Sequence, residues 1–444
     1  MTNSINFKYV PISQKWEKRT VPFSQEEGYI IMKLRTPTYF NEFHCIADKC
    51  KDCCCIGWEI DIDKKSADFY KNVSGEFGEK LRKSIDFGSP SHFALNDKNR
   101  CPLLNNKNLC EVYIQLGEDK MCDICTEHPR YYEWFNNLKE GGIGLCCEEA
   151  GRIILSQKQP FTTIEKEIPF EDADTYDTEL FNYLLNCRAK IISHIENTEK
   201  NFNLKIRNIL WYAYTIQLDI DNDMLDDEEI FDIIDYEKTD ITPILNFYTT
   251  LDPLNPDWIP YLKHSILTYI NSKNYLHNFE KQNPQLNNYL QNIAIYFIWR
   301  YFLKATFDKD VLSKVEFMAI SIALIKILFF CQYFYMMYTG LSLQLLDHPG
   351  NVPRGLQYLN TQCQRSDSVD GNTLMDRQDI GPVLCDDLQH IRQYTRFIIH
   401  LKGKSDGRSL GIVMKGKNII FVLIKRTAAD TYRINRFLYG QNLL

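Results

Sequence analysis

The sequence lacks an excess of positive charge, since 51 lysine and arginine residues face 58 aspartate and glutamate residues and the formal net charge is -7. Nucleic acids and anionic lipid surfaces attract basic proteins, so this composition gives no general affinity for either. The amino end also lacks the apolar core and the small-residue cleavage site of a secretory signal. We therefore expect a cytoplasmic protein that binds no nucleic acid.

Two short motifs that would indicate a known cofactor fold are missing as well. The CxxxCxxC triplet of radical enzymes would need a third cysteine at Gly57, after Cys50 and Cys54. The segment EGGIGLCC at 140–147 is a weak imitation of a nucleotide-binding glycine turn, because it does not clearly follow a strand and open a helix. A doubly wound nucleotide-binding fold is therefore disfavoured.

The composition and its changes along the chain predict a multidomain globular protein. Of the 444 residues, 44% are hydrophobic and 25% are charged. Domains usually contain about 100 to 200 residues, so the length indicates two or three. We predict an extension over 1–31 that lies outside the fold, a cysteine-rich metal-cluster domain over 32–160, a helical domain over 161–340 and an atypical carboxy-terminal region of unknown role over 341–444.

Helical periodicity dominates the second of these domains. Four segments place apolar residues at i, i+3, i+4 and i+7, the spacing of amphipathic helices. They are 175–196, 204–220, 258–272 and 286–306. We predict a mainly α protein in which a loop-rich cysteine domain packs on an all-helical domain. Near the carboxy end, an apolar stretch with a turn at 415–418 predicts a small β-hairpin.

The run Phe317–Tyr338 is apolar enough to resemble a membrane span, because about 20 apolar residues cross a bilayer. Lys326 lies at its middle, however, and its flanks are not strongly basic. We interpret the run as a buried core helix and expect no membrane insertion.

Cysteine is the residue type with the most uneven distribution. Eleven of the fifteen cysteines lie between positions 45 and 147: Cys45, Cys50, Cys53, Cys54, Cys55, Cys101, Cys110, Cys122, Cys125, Cys146 and Cys147. A cytoplasm keeps thiols reduced, which favours metal ligation over disulfides. Thiolates are soft ligands that select zinc or iron-sulfur centres over hard cations. We interpret the four scattered cysteines as ordinary thiols: Cys187, Cys331, Cys363 and Cys385.

The spacing of the cysteines leaves the type of centre open. Cys50 and Cys53, together with Cys122 and Cys125, would provide two CxxC pairs for one tetrahedral zinc ion. An iron-sulfur cluster also takes four cysteines, or three when one iron is left open for a substrate. Adjacent cysteines point in different directions in most backbone conformations, so the chain could hold one centre or two.

Three segments carry a more specific pattern: PTYFNEFHCIADKCKDCCCIGWEIDID at 37–63, NRCPLLNNKNLCEVYIQLGEDKMCDICTEHPRYYEWF at 99–135 and GLCCEEAGRIIL at 144–155. Through them the chain resembles the flagellin lysine-N-methylase family, which carries a cysteine cluster described as zinc- or iron-chelating. The family pattern falls on Cys45, Cys50, Cys54, Cys55, Cys101, Cys110, Cys125 and Cys147. Three cysteines lie off this pattern and are weaker ligand candidates: Cys53, Cys122 and Cys146.

The resemblance implies a cytoplasmic enzyme that methylates lysines of flagellin, using S-adenosylmethionine and a 4Fe-4S cluster. Zinc stays the alternative metal, and a non-catalytic zinc- or iron-binding protein is the alternative function. Methyl transfer needs a neutral amine, so a nearby group must accept the proton of the lysine. Candidates by proximity to the cysteines, which could also simply pack over the metal, are Tyr131, Tyr132, Glu133, Trp134 and Glu148.

Overall fold

A computed structural model of the chain describes residues 31–50, 54–56, 60–97, 99–171, 176–198, 201–225, 241–251, 257–339, 411–415 and 418–422. Almost all of the predicted extension, the weaker ligand candidate Cys53 and most of the carboxy-terminal region lie outside these residues.

The first half of the described chain consists of short elements. They are strand β1 (Ile31–Pro37), helices α1 (Lys64–Lys71) and α2 (Gly75–Lys83), strands β2 (Ile85–Asp86) and β3 (His92–Phe93), helices α3 (Glu111–Leu116) and α4 (Asp123–Glu127), strands β4 (Arg130–Phe135) and β5 (Leu138–Ile143), helix α5 (Glu148–Ser156) and strand β6 (Thr163–Pro169). Between Pro37 and Arg130 no described helix exceeds nine residues.

The second half is helical and contains the longer elements. They are α6 (Thr178–Glu196), α7 (Phe202–Asp221), α8 (Thr242–Tyr248), α9 (Trp258–Ser272), α10 (Leu276–Gln282), α11 (Gln285–Tyr301), α12 (Ala305–Asp308) and α13 (Val311–Thr339), followed by strands β7 (Gly411–Lys415) and β8 (Asn418–Val422). The prediction of a mainly α protein is confirmed, because all four periodic segments form helices. The carboxy-terminal hairpin is also present, with Lys415 paired to Asn418.

A four-stranded sheet, which the sequence analysis did not predict, joins the two halves. Its strand order is β4, β5, β1, β6, with β1 parallel to β5 and the other pairs antiparallel. Strands β4 and β5 form a hairpin around Asn136 and Asn137, and Asn136 adopts a left-handed φ of 49°. Asparagine tolerates this conformation, which suits a two-residue hairpin turn.

Two hydrophobic cores form around these elements. The larger core unites the helices α6 to α13 with the inner face of the sheet, and Leu184, Ile209, Leu290 and Phe330 in it have no exposed surface. The smaller core lies between the short elements of the first half and includes Tyr70, also fully buried. The cysteine-rich segment therefore has only a small apolar core of its own.

Helix α13 contains the apolar run that the sequence analysis interpreted as a core helix. Among the described residues it is the one helix long and apolar enough to cross a bilayer, and 61% of its most apolar window is buried inside the protein. Lys326 at its middle is paired with Glu280 and donates to Asn203 Oδ1 at 3.1 Å. The helix packs against α7, α9 and α11.

Candidate metal centre

The smaller core brings together cysteines from three separate parts of the chain. Cys101 and Cys122 are buried in it, at 7% and 1% exposure. Cys55, Cys110 and Cys125 are partly buried and pack against it. Four of these five belong to the set that the resemblance predicts as ligands, and Cys122 is one of the weaker candidates.

Backbone hydrogen bonds fix the loops that carry these cysteines. The Cys101 N–H donates to the Cys55 carbonyl at 2.9 Å, which ties the first cysteine segment to the second. Leu104 forms a bridge with Cys110, and the Glu111 N–H donates to the Leu103 carbonyl at 2.8 Å. Residues 101–110 therefore form a closed loop that returns Cys110 to the neighbourhood of Cys101.

Asp63 holds the third cysteine segment in place. Its Oδ1 accepts from the Ser66 N–H at 2.8 Å, which caps helix α1, and its Oδ2 accepts from the Asp123 N–H at 3.0 Å, which opens helix α4. One carboxylate thus joins two helix starts, and the second of them carries Cys122 and Cys125. Sequence analysis did not assign a role to Asp63.

The thiols in this core influence one another. The hydrogen bond with Cys122 and burial raise the pKa of Cys125, and Cys110 and Cys101 contribute to the same shift. Burial also raises the pKa of Cys110, with further contributions from Cys122 and Cys54. Thiols that must lose protons in this environment need a positive charge beside them, because desolvation and mutual repulsion oppose several neighbouring thiolates.

Three further cysteines lie at the start of helix α5: Cys50, Cys146 and Cys147. Cys146 and Cys147 precede this helix, and Cys50 Sγ lies 3.6 Å from Oε2 of Glu148 in its first turn. Burial raises the pKa of Cys147, and Cys146 and Cys54 add to the shift. Cys54 therefore acts on thiols of both groups.

The side chains of the adjacent residues Cys54 and Cys55 do not point in opposite directions, since their sulfur atoms are 4.0 Å apart. Cys45 is exposed. Apart from the exposed Cys45, the predicted cysteines in the described part of the chain form one group in the smaller core and one group beside α5, with Cys54 in electrostatic range of both.

A buried polar cluster supports the turn before α5. Arg300 Nη1 donates to the Tyr296 hydroxyl at 2.7 Å, and the same hydroxyl accepts from the Leu145 N–H at 3.4 Å. The guanidinium group lies 4.5 Å from the centroid of the Tyr131 ring. A Cβ at position 144 would lie 3.0 Å from Cys146 Sγ and 3.2 Å from the Pro129 carbonyl oxygen, so a larger residue would force these neighbours to shift by a few tenths of an ångström. Neither Arg300 nor Tyr296 has a signal in the sequence, because both lie in an ordinary helical pattern.

The five candidate proton acceptors have different surroundings. Tyr131 is partly buried beneath the turn, where desolvation raises its pKa. Tyr132 donates to Glu127 at 3.1 Å, Glu133 pairs with Lys304 at 3.0 Å and Trp134 Nε1 donates to Glu171 at 2.6 Å. Glu148 is the candidate whose carboxylate contacts a predicted ligand thiol, that of Cys50.

The donor set matches a soft metal centre in chemical type. The smaller core supplies thiols from separate segments. Burial raises the pKa of Cys110, and the hydrogen bond with Cys122 and burial raise the pKa of Cys125. A bound cation would stabilise the thiolate form of such thiols. Within the described part of the chain, no three histidine, cysteine, aspartate or glutamate side chains stand close enough together to hold a metal ion. The ligand set, the 4Fe-4S cluster and the zinc alternative stay predictions.

Known proteins similar to this chain include lysine-N-methylases of two organisms. Those of Salmonella typhimurium and Salmonella choleraesuis are each 26% identical to it over 200 residues, which make up 41% of this chain and 48% of the relative. The resemblance to lysine-N-methylases is confirmed. The chain spans about half the length of these curated relatives.

A further relative is the flagellar biosynthetic protein FliU of Salmonella muenchen. It is 27% identical over 143 residues, which make up 30% of this chain and 82% of the relative. No protein-family model matches the chain. No solved structure matches it.

Proposed function

We propose that the chain is a protein-lysine N-methyltransferase that acts on flagellin, with S-adenosylmethionine as methyl donor and a cysteine-ligated iron-sulfur cluster. The similarity to lysine-N-methylases carries the proposal, because their name states the reaction. The FliU relative supports a flagellar substrate. The meeting of cysteines from three segments in one small core supports the metal centre.

Three of the four thiols of Cys101, Cys110, Cys122 and Cys125 in the smaller core would have to converge to hold a cluster with one open iron, because no three of them stand within metal-binding distance in the described part of the chain. When bound, a cluster with one open iron supplies a coordination site for the amino and carboxylate groups of S-adenosylmethionine, which orients the methyl group. Asp63 positions two of the four thiols through the start of helix α4.

The chain must also accept a proton. A lysine ammonium has a reference pKa near ~10.4, so most substrate lysines are protonated at neutral pH. Glu148 would accept this proton, since its carboxylate is half-buried beside the Cys50 thiol. The neutral amine then attacks the sulfonium methyl group, the new N–C bond forms as the C–S bond breaks, and S-adenosylhomocysteine leaves.

One observation favours the alternative, a non-catalytic zinc- or iron-binding protein. Within the described part of the chain, the smaller core contains eleven buried residues, of which two are cysteines. A core of this size gains stability from a structural metal. In that case the metal would hold the cysteine-rich segment together without taking part in a reaction.

Metal analysis after anaerobic purification separates the two functions. The methyltransferase is expected to be brown and to contain about four irons and four sulfides per chain for one 4Fe-4S cluster. Cys125→Ser should lower the iron content sharply, whereas Cys187→Ser, in the larger core, should leave it unchanged. A colourless protein that binds zinc would instead support the structural alternative.

The decisive measurement is mass spectrometry of flagellin after incubation with the protein and S-adenosylmethionine. We expect mass increases of one methyl group or more on lysines, together with S-adenosylhomocysteine in equal amount. Glu148→Gln should slow methylation while iron content and S-adenosylmethionine binding persist. Unmodified flagellin, with the cluster intact and the methyl donor bound, would contradict the proposal.

A further inference from the structure

Among the described residues, two aromatic rings and one carboxylate form a cage around Lys139 on strand β5. Its Nζ atom is 4.5 Å from the centroid of the Tyr132 ring and 4.8 Å from the centroid of the Trp134 ring. The same atom donates to both carboxylate oxygens of Glu171, at 2.8 and 2.9 Å. The lysine side chain is only 4% exposed.

The walls of the cage are fixed by the hairpin and by hydrogen bonds. Trp134 is the direct cross-strand partner of Lys139, and Tyr132 is the partner of Gly141 two residues further on, so the two rings and the lysine share one face. Trp134 Nε1 donates to Glu171 at 2.6 Å. A side chain at Gly141 would come within 2.9 Å of the Tyr132 ring, so glycine lets this ring lie against β5.

This arrangement is suited to ammonium groups with or without methyl substituents. Aromatic faces attract ammonium and quaternary ammonium groups, and aromatic cages are used to recognise methylated lysine. The Glu171 carboxylate accepts N–H donors from the ammonium that now fills the cage. A lysine side chain is already bound there, so the cage demonstrably fits one.

A role in the register of strand β5 needs only the ion pair of Lys139 with Glu171 and does not require two aromatic rings around the ammonium group. The carboxylate wall also reaches the surface, since the Glu171 side chain is 30% exposed. A ligand can therefore approach from the side of Glu171.

The cage is linked to the candidate metal centre through one hydrogen bond. The Tyr132 hydroxyl donates to Glu127 at 3.1 Å, and Glu127 is the last residue of helix α4. Cys125 lies on the same short helix. Tyr132, which contacts the ammonium group in the cage, therefore also contacts helix α4, which carries the predicted ligand Cys125.

We propose that Tyr132, Trp134 and Glu171 form a binding site for the side-chain ammonium of a lysine in a partner polypeptide, and that Lys139 is an internal competitor that fills this site when no partner is bound. The inference rests on the proposed function, because it assigns a docking site for a further lysine of the substrate polypeptide, distinct from the lysine whose proton Glu148 would accept. It assigns Lys139 a regulatory role, since its side chain must leave the cage before the partner lysine enters.

The first test removes the competitor and measures binding by calorimetry, without methyl donor. The probe is Nα-acetyl-Nε,Nε-dimethyl-lysine amide, whose ammonium group keeps one N–H for Glu171 and whose tertiary amine forms no stable amide with an acetylating reagent. The protein is the full chain purified anaerobically. Lys139→Ala is expected to bind the probe about tenfold more tightly than the unaltered chain. Adding Trp134→Leu to this variant should abolish the gain. The matched control is Lys304→Ala, which removes the 3.0 Å ion pair with Glu133 on the opposite face of β4 and should leave binding unchanged.

The second test uses the unaltered chain, so it does not depend on the folding of any variant. Lysines are acetylated with an activated ester, and the modified positions are quantified by mass spectrometry. Lys139 should react slowly, and its rate should rise at least about threefold when the probe occupies the cage and displaces it. Lys33, whose side chain is 61% exposed, serves as the reference and should react at the same rate throughout.

Either of two results would overturn the inference: no probe binding by a folded Lys139→Ala variant, or binding that Trp134→Leu does not weaken. An acetylation rate of Lys139 that does not change when the probe is added would overturn the role of Lys139 as a competitor. Neither test involves flagellin, methyl donor or metal. A failed methylation assay and a failed binding assay are therefore distinguishable.

Discussion

The ion pair between Glu140 and Arg188 offers the sharpest test of how the sheet is held against the helices. Both side chains are buried, at 5% and 4% exposure. Arg188 donates to the two carboxylate oxygens at 2.6 and 2.7 Å, and its guanidinium group lies 4.3 Å from the centroid of the Trp299 ring. The pair connects strand β5 to helices α6 and α11. The variant Glu140→Gln keeps the shape of the side chain and removes its charge.

The expected loss of stability depends on which contacts of Arg188 remain in the variant. Leaving a buried charge without its counter-ion costs about 3 to 5 kcal/mol. The contact with Trp299 remains and offsets about 1 kcal/mol of this loss. We therefore expect Glu140→Gln to lower the free energy of unfolding by about 2 to 4 kcal/mol. The double variant Glu140→Gln/Arg188→Met should recover most of the loss, because it no longer leaves a buried charge unpaired.

Urea unfolding followed by far-ultraviolet circular dichroism measures the effect on the helices. Lys33→Gln is the matched control, since it removes the surface pair with Glu165 from the same sheet and leaves Arg35, a second partner of Glu140 at 3.3 Å, in place. Surface pairs contribute about 0 to 1 kcal/mol, so the control should shift the midpoint little. Equal shifts for Glu140→Gln and Lys33→Gln, or a double variant no more stable than the single one, would refute the reasoning.

Two further predictions concern a helix cap and a surface carboxylate. Asp63→Ala removes the cap of α1, so it should lower the free energy of unfolding by about 1 to 2 kcal/mol and also lower the metal content per chain. Asp177→Ala is the control, because it removes the cap of α6 and should lower the stability by a similar amount without loss of metal. Hydrogen bonds from Lys33 and Arg35 hold the pKa of Glu165 below its ordinary value of 4.5. The stability that these hydrogen bonds provide is present above pH 4.5 and is lost as the pH falls through the folded-state pKa of Glu165. The urea midpoint of Glu165→Gln should therefore change less with pH below 4.5 than the midpoint of the unaltered chain. A control helix variant that also loses metal, or identical acid profiles, would contradict these expectations.

The helical half was predictable because its pattern is local. Each amphipathic segment shows its buried face at a fixed spacing, and helices α6, α7, α9 and α11 form where that spacing occurs. The sheet was not predicted, since β5 reads LKEGGI, without the alternation that marks a half-buried strand, and all six residues are buried. The signal that could have revealed it is the Asn136–Asn137 pair between two short runs, which suits a hairpin turn.

The cysteine pattern was predictable only in part. Spacing and family resemblance predict soft ligands, and the smaller core contains or contacts four of the predicted cysteines: Cys55, Cys101, Cys110 and Cys125. Cys122 lies off the family pattern and still shares this core. The sequence could not place it there, because its position depends on the Asp63 carboxylate 60 residues away. Contacts of this separation leave no periodic trace in a single sequence.

The two adjacent charged residues of β5 show why a local sequence pattern does not predict burial when the partners of the charges are distant in the sequence. Lys139 and Glu140 read as a surface dipeptide, yet both are buried, on opposite faces of one strand. Each is neutralised by a distant partner, Glu171 at a separation of 32 residues and Arg188 at 48. A shift of β5 by one residue would turn Lys139 towards Arg188 and Glu140 towards Glu171, and like charges would meet on both faces. The two pairs therefore specify the register of the strand, in addition to any stability they contribute.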